Sequence, residues 1–285
     1  MKMKHFNIRI VMVLLSLFMV SSTFADILQK IKIGDLYYNL DEDTKEASVT
    51  CLQKTLFDLD SPNVYYELTS VTIPENVTYK NKTYKVTAID QYAFYGETKL
   101  TSIVIPKTVK SIHNFAFMYC ISLPSITLPE GLTVIASSAF YGCESLTEII
   151  IPEGVTTICT SAFLECTKLA SITLPSTLQF IETSAFADCP ALKSIKTNAT
   201  KPFPLYRGTF EQYGNLYVPA DCKEAYENAA YWKKFNIIDS SVTGISNISS
   251  PDSKQPSTIF TLGGTRVSSL QKGVNIVNGK KVVVK

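Results

Sequence analysis

The chain has 285 residues, a formal net charge of +2 and only 18% charged side chains, against roughly 25% in a typical soluble domain. Near neutrality gives little support to a nucleic-acid binder, whose affinity comes from neutralising phosphates. There are two histidines, and since His5 lies in a leader segment that the mature chain is expected to lose, His113 alone remains and a multi-histidine metal site is excluded.

Residues 1–25 read as a secretory signal peptide. Lys2, Lys4 and Arg9 form a positive start, Ile10 to Val20 is apolar apart from Ser16, and Thr23-Phe24-Ala25 ends on a small residue. This is the charge, apolar core and cleavage-site order of an export signal, and the apolar run is short of the about 20 residues that span a membrane. Without these residues the chain keeps 24 basic and 25 acidic side chains and a net charge of −1, with His113 as its one imidazole. No cysteine follows the apolar run to carry a lipid, and no later segment is a membrane span. The expected address is secreted or cell surface.

Residues 26–67 read as an N-terminal β cap, with alternation from Lys30 to Asn39 and a strand candidate from Val49 to Leu52. A hairpin is expected over Val77 to Val86, turning at Asn81-Lys82.

From Leu68 a repeat dominates. Phe94, Phe117, Phe140, Phe163 and Phe186 recur every 23 residues, each after an alanine. Pro106, Pro129, Pro152 and Pro175 keep the period, and so do Cys120, Cys143, Cys166 and Cys189. The clean copies are 100–122, 123–145, 146–168 and 169–191. An earlier copy from Leu68 carries nine extra residues and Glu97 in place of cysteine. A degenerate copy from Leu192 loses the proline and the Ala-Phe pair. The Leu-x-x-Ile-x-Leu stretch is full of β-branched residues and is ended at once by proline, so it is a short strand rather than a helix. One such unit cannot bury its apolar residues alone; stacked units share a core and pair their strands about 4.7–4.9 Å apart. The expected fold is a β-rich right-handed solenoid over 68–239 with little α-helix and a parallel sheet along one face.

These Leu-x-x-Ile-x-Leu-Pro strands and Ala-Phe-x-x-Cys-x-x-Leu turns resemble the 23-residue leucine-rich repeats of bacterial surface proteins, the BspA-like or Treponema-type class. The resemblance implies a leucine-rich repeat fold. It also implies an adhesin-like role, since members of known function bind host extracellular proteins or other bacteria.

Towards the C-terminus, Leu216-Tyr-Val-Pro219 reads as another repeat strand. Residues 221–232 have helix character, with Ala225, Tyr226, Ala229, Ala230 and Trp232 available to cover the last rung. Residues 240–258 are rich in Ser, Pro, Asn and Thr and read as a linker. Residues 259–285 read as a β hairpin tail turning at Asn278-Gly279. That tail resembles the C-terminal segments of exported Bacteroidetes proteins, which implies sorting or anchoring; a small β appendage without that role is the alternative.

The four periodic cysteines are expected to form an internal free-thiol ladder. One or two bridges stay open as an alternative, while four donors in a line cannot make a tetrahedral metal site. Cys51, Cys159 and Cys222 break the pattern, and one pair among them stays open. His113 follows the inward Ile112 and is expected on the surface, away from Cys120. The serines have no elbow motif, and no phosphate loop, calcium loop or zincin motif occurs. The sequence therefore points to no catalysis and no cofactor.

The informative surface is the strand face. One outward column reads Ser70, Ser102, Ser125, Glu148, Ser171, Ser194, and its neighbour reads Thr72, Val104, Thr127, Ile150, Thr173, Lys196. The rung with Glu148 and Ile150 departs most from the hydroxyl pattern. Tyr92, Tyr95, Phe115, Tyr119 and Tyr141 sit at variable repeat positions, where they serve either as corner packing or as binding anchors. The functional expectation is non-catalytic binding of an extracellular protein or surface glycan, not of nucleic acid. A self-associating envelope component is the rival.

Overall fold

A computed structural model describes residues 27–51 and 68–240, and the backbone of four strands between 259 and 284. The expected signal peptide, the end of the expected cap and most of the expected linker lie outside the described residues. Contacts divide the chain into two units, 1–245 and 246–285.

The first unit starts with an antiparallel meander, β1 (Ile27–Ile33), β2 (Leu36–Asp41) and β3 (Glu46–Thr50). Next come β4 (Ser70–Thr72), β5 (Asn76–Tyr79) and β6 (Lys82–Ile89). Strand β3 pairs in parallel with β6, so the meander is spliced directly into the solenoid. The expected hairpin is β5–β6, but its turn is one residue earlier than the sequence suggested. Tyr79 pairs with Lys82, leaving Lys80 and Asn81 as the turn, both at positive φ (48° and 62°). A two-residue turn with both φ values positive matches the strand twist. This register puts Val77, Tyr84 and Val86 in the core together.

The repeats are built from up to two short strands and a bend each. The first strands are β7 (Ser102–Val104), β10 (Glu148–Ile150), β12 (Ser171–Leu174), β14 (Ser194–Thr197) and β15 (Asn215–Val218). The second are β8 (Ser111–Ile112), β9 (Val134–Ile135), β11 (Thr157–Ile158) and β13 (Phe180–Ile181). Between them proline sets a tight turn, with Val109, Leu132, Val155 and Leu178 donating to the carbonyls of Pro106, Pro129, Pro152 and Pro175. First strands pair only with first strands of neighbouring rungs, second only with second, all in parallel. The bends form a third ladder. Phe94, Phe117, Phe140 and Phe163 donate their N–H to Ala116, Ala139, Ala162 and Ala185 of the next rung at 2.8–2.9 Å.

Inside this frame the phenylalanines stack nearly parallel, with centroids 5.1–5.4 Å apart from Phe94 to Phe186. The stack continues one ring further than the sequence indicated. Phe210 lies 5.2 Å from Phe186, with buried Thr209 in the alanine position. The copy from Leu192 therefore keeps its ring, displaced by one residue of spacing.

The cysteine ladder is internal and its thiols are free. Cys120, Cys143, Cys166 and Cys189 donate Sγ–H to the carbonyls of Phe94, Phe117, Phe140 and Phe163, each at 3.2 Å. Each thiol thus satisfies a buried carbonyl of the preceding rung, as buried polar groups must.

The far end is closed by helix α1 (Lys223–Asn228), a 3₁₀ turn at Trp232–Lys234 and β16 (Asn236–Asp239), which pairs with β15. The helix is shorter than expected, and Ala225 and Ala230 face solvent. Trp232 and Tyr226 do the covering, both fully buried. Trp232 Nε1 donates to the Phe203 carbonyl at 2.7 Å and Tyr226 Oη to that of Ala199 at 2.9 Å.

The second unit has four antiparallel strands, β17 (Ile259–Thr261), β18 (Arg266–Val267), β19 (Gly273–Val277) and β20 (Lys280–Val284), in the order β18-β17-β19-β20. The expected hairpin is β19–β20; its turn residues Asn278-Gly279 lie outside the described residues.

Burial pushes the Cys143 and Cys189 thiols up to about 12, and those of Cys120 and Cys166 well above the ordinary value of 9.0. The folded state thus holds protons that the unfolded chain releases first. The stability this provides is intact below about pH 9 and is lost as pH rises towards 12, at about 1.4 kcal/mol per pH unit for each thiol. Urea melts between pH 8 and 11 should show this fall, and Cys143→Ser should remove one thiol's share of the slope.

Candidate binding surface

Buried Ile103, Ile149, Ile172 and Ile195 anchor the first strands, so the residues on either side of each point outward. Register aligns them into the expected columns. Ser70 lies beside Ser102, and Glu148 beside Ser171 and then Ser194; Thr72 lies beside Val104, and Ile150 beside Thr173 and then Lys196. Val104 is 54% exposed and Ile150 66%. Ser102 and Glu148 are exposed, while Ser171, Thr173 and Lys196 are half-buried.

Ser125 and Thr127 are exposed on either side of buried Ile126, yet their rung is not a strand of either sheet. Pro124 distinguishes this rung. At the equivalent place Thr101, Thr147, Ala170 and Lys193 donate N–H to the preceding rung, at Thr69, Pro124, Thr147 and Ala170. Proline has no N–H to donate. On this face the strands form two groups, β4–β7 and β10-β12-β14-β15-β16.

The columns also run further than the sequence revealed. Asn215 and Tyr217 continue them on β15, and Asn236 and Ile238 on β16. Asn236 Nδ2 donates to Asn215 Oδ1 at 2.8 Å. The step between these rungs is 21 residues rather than 23, which hid them from the period; the Leu216 to Pro219 strand was the available signal.

The five off-pattern aromatics form one half-buried group on the bends. Tyr92 and Phe115 stack at 5.0 Å with planes 5° apart, and Tyr95 meets Tyr92 edge-on at 5.8 Å. Tyr119 lies 6.1 Å from Tyr95 and 5.1 Å from Tyr141. Tyr141 Oη donates to Glu165 Oε1 at 2.9 Å. Its hydrogen bonds with Tyr119 and then Glu165, followed by burial, raise its pKa.

Nothing in this arrangement activates a nucleophile. His113 is exposed, while Cys120 is buried and turned to the Phe94 carbonyl. Half-buried Cys159 has its pKa raised by burial and then by the Glu182 carboxylate, which opposes thiolate formation. Among the described residues no group of three or more His, Cys, Asp or Glu side chains is placed to hold a metal ion. No helix among them is long and apolar enough to cross a membrane.

Residues 87–216 match the family described as BspA type leucine rich repeat region, in six copies. The chain carries a BspA-type leucine-rich repeat array. A leucine-rich repeat protein of Bacteroides ovatus is similar, with 30% identity and a TM-score of 0.44, over 67% of this chain and 55% of that one. This chain thus spans little more than half the length of that relative. The T. pallidum leucine-rich repeat protein is 21% identical over 72% of this chain and 94% of its own, with a TM-score of 0.47. A leucine rich cell surface protein of Faecalibacterium prausnitzii is 19% identical over 73% of this chain and 94% of its own, with a TM-score of 0.26. No curated protein matches the chain.

Within the BspA-type array, Gly142 is the position most tightly tied to the aromatic group. Its φ is +69°, and a Cβ there would lie 2.4 Å from Tyr119 Cδ1. Gly142→Ala should cost about 1–2 kcal/mol from the left-handed backbone alone and should displace the Tyr119 ring. Thermal melts read the first effect and tyrosine near-ultraviolet circular dichroism the second.

Proposed function

We propose that the protein is an exported, surface-exposed binding protein, without catalytic activity, that holds a partner protein on its first-strand face. The observation that carries this reading is the pair Val104 and Ile150, 54% and 66% exposed in a column otherwise made largely of hydroxyl and polar side chains. Neither residue is needed by the core, which is filled from the opposite side of each strand. Large exposed apolar side chains in a polar surround are what a protein interface requires at its centre. The BspA-type repeats and the export signal read from residues 1–25 support a location at the cell surface. The sparse charge of residues 100–191, 10 of 92, favours a partner that is not a polyanion.

Immobilised protein should capture a defined partner from extracellular-matrix or neighbouring-cell extracts. The pair Glu148→Ala/Ile150→Ser should weaken that capture at least about tenfold, the effect of losing about 1.4 kcal/mol. Absence of any partner across a broad panel would count against the reading, as would capture unchanged by the pair. Concentration-dependent self-assembly with no outside partner would favour an envelope-building role instead. Protease shaving of intact cells tests the surface location.

A further inference from the structure

We propose that the bends of the first rungs carry a saccharide-binding site, made by the stacked rings of Tyr92 and Phe115 with Asp90, Gln91, His113 and Asn114. It lies off the strand face and does not depend on the function proposed there.

The choice of side chain at one bend position gives the first reason. Tyr92 and Phe115 sit at φ 62° and 60°, the left-handed region that bulky side chains avoid. The same position in the next three rungs holds Ser138, Ser161 and Ser184, at φ 53°, 57° and 58°. The bend therefore forms with serine, and nothing in the repeat calls for a ring. Two aromatic rings at that place, half-buried and stacked with centroids 5.0 Å and planes 5° apart, put apolar ring surface next to polar side chains. The left-handed bend is common to all these rungs, so it is the choice of a ring over serine, and not the backbone conformation, that points to a functional use.

A cavity supplies the second reason. About 390 Å³ is lined by Asp90, Gln91, His113 and Asn114, the two residues immediately before each ring. That volume suits a small-molecule site. Two of the four groups are held in place from behind. Asp90 Oδ2 accepts from Asn39 Nδ2 and Ser48 Oγ, both at 2.7 Å, and Asn114 Oδ1 accepts from the Ser137 N–H at 3.1 Å. Such pre-organisation lowers the ordering cost of binding.

The chemistry selects the ligand. A sugar ring has an apolar C–H face, which rests on the electron-rich face of an aromatic ring. Its edge carries vicinal hydroxyls, which planar carboxylate, carboxamide and imidazole groups engage in pairs. An anionic ligand would meet Asp90, and a wholly apolar one would leave these four polar groups desolvated. The expected ligand is a neutral glycan.

Native gels cast with starch, xyloglucan or glucomannan test the site, with hyaluronan as the acidic comparison. At least one neutral polysaccharide should retard the full chain. Tyr92→Ser/Phe115→Ser, which installs the residue used by three other rungs, should weaken that retardation at least tenfold while keeping the melting temperature. Asn114→Ala should weaken it too, and Ile150→Ser on the strand face should leave it unchanged. The proposal is overturned if no neutral polysaccharide retards the protein, if hyaluronan alone does, or if the double serine variant binds as well as the original. A collapse in melting temperature of that variant would also overturn it, by showing the rings to be packing.

Discussion

The stack of phenylalanine rings from Phe94 to Phe210 is the constraint that the rest of the structure follows. Each ring from Phe117 to Phe186 has a stacked neighbour at about 5 Å on both sides, so no repeat completes its core alone. The alanine before each phenylalanine, replaced once by Thr209, lets the backbone pass close enough to hydrogen-bond the next rung. The cysteine three residues after the ring returns a thiol to the carbonyl of the preceding rung's phenylalanine. Ring, small residue and thiol thus act as one unit, and the two parallel sheets follow from repeating it. Such an array is exposed at its ends unless something covers it. The β1–β3 meander joins the second-strand sheet at one end, and Trp232 seals the other against Phe203 and Phe210.

Because the interior is satisfied by the periodic residues, the outward positions are free to differ. Glu148, Ile150 and Val104 on the strand face, and Tyr92 and Phe115 on the bends, occupy places where other rungs carry small hydroxyl residues. Departure from the repeat without a packing need is the physical signature shared by both candidate surfaces. The thiols carry no such signature, since burial raises their pKa and makes them inert partners of backbone carbonyls.

Most of the fold was legible because its period is written in residues that all face the core. The ladder, the inward Ile positions and the strand columns follow from spacing alone. What was hidden lay where spacing or chemistry slipped. Phe210 comes 24 residues after Phe186 and behind a threonine, so its place in the stack needed coordinates. Asn215 and Asn236 follow at 21-residue steps, which a 23-residue template misses. Pro124 looks like any variable residue, yet its rung is the one whose Ser125 to Thr127 stretch pairs with neither β7 nor β10. Tyr92 and Phe115 were visible as aromatics, but their stacking and the cavity beside Asp90 and His113 depend on how the bends curl. Ala225 and Ala230 suggested a longer apolar helix than the six residues that form.

Thiol accessibility tests the central claim, that one shared core holds the rungs together, most directly. The full chain is titrated with urea, pulsed with a thiol-alkylating reagent and read by mass spectrometry. The account predicts that Cys120, Cys143, Cys166 and Cys189 are unlabelled and unbridged in the native protein and become reactive together, in one cooperative transition. A disulfide between any two of them, or labelling of the four in separate steps, would contradict it.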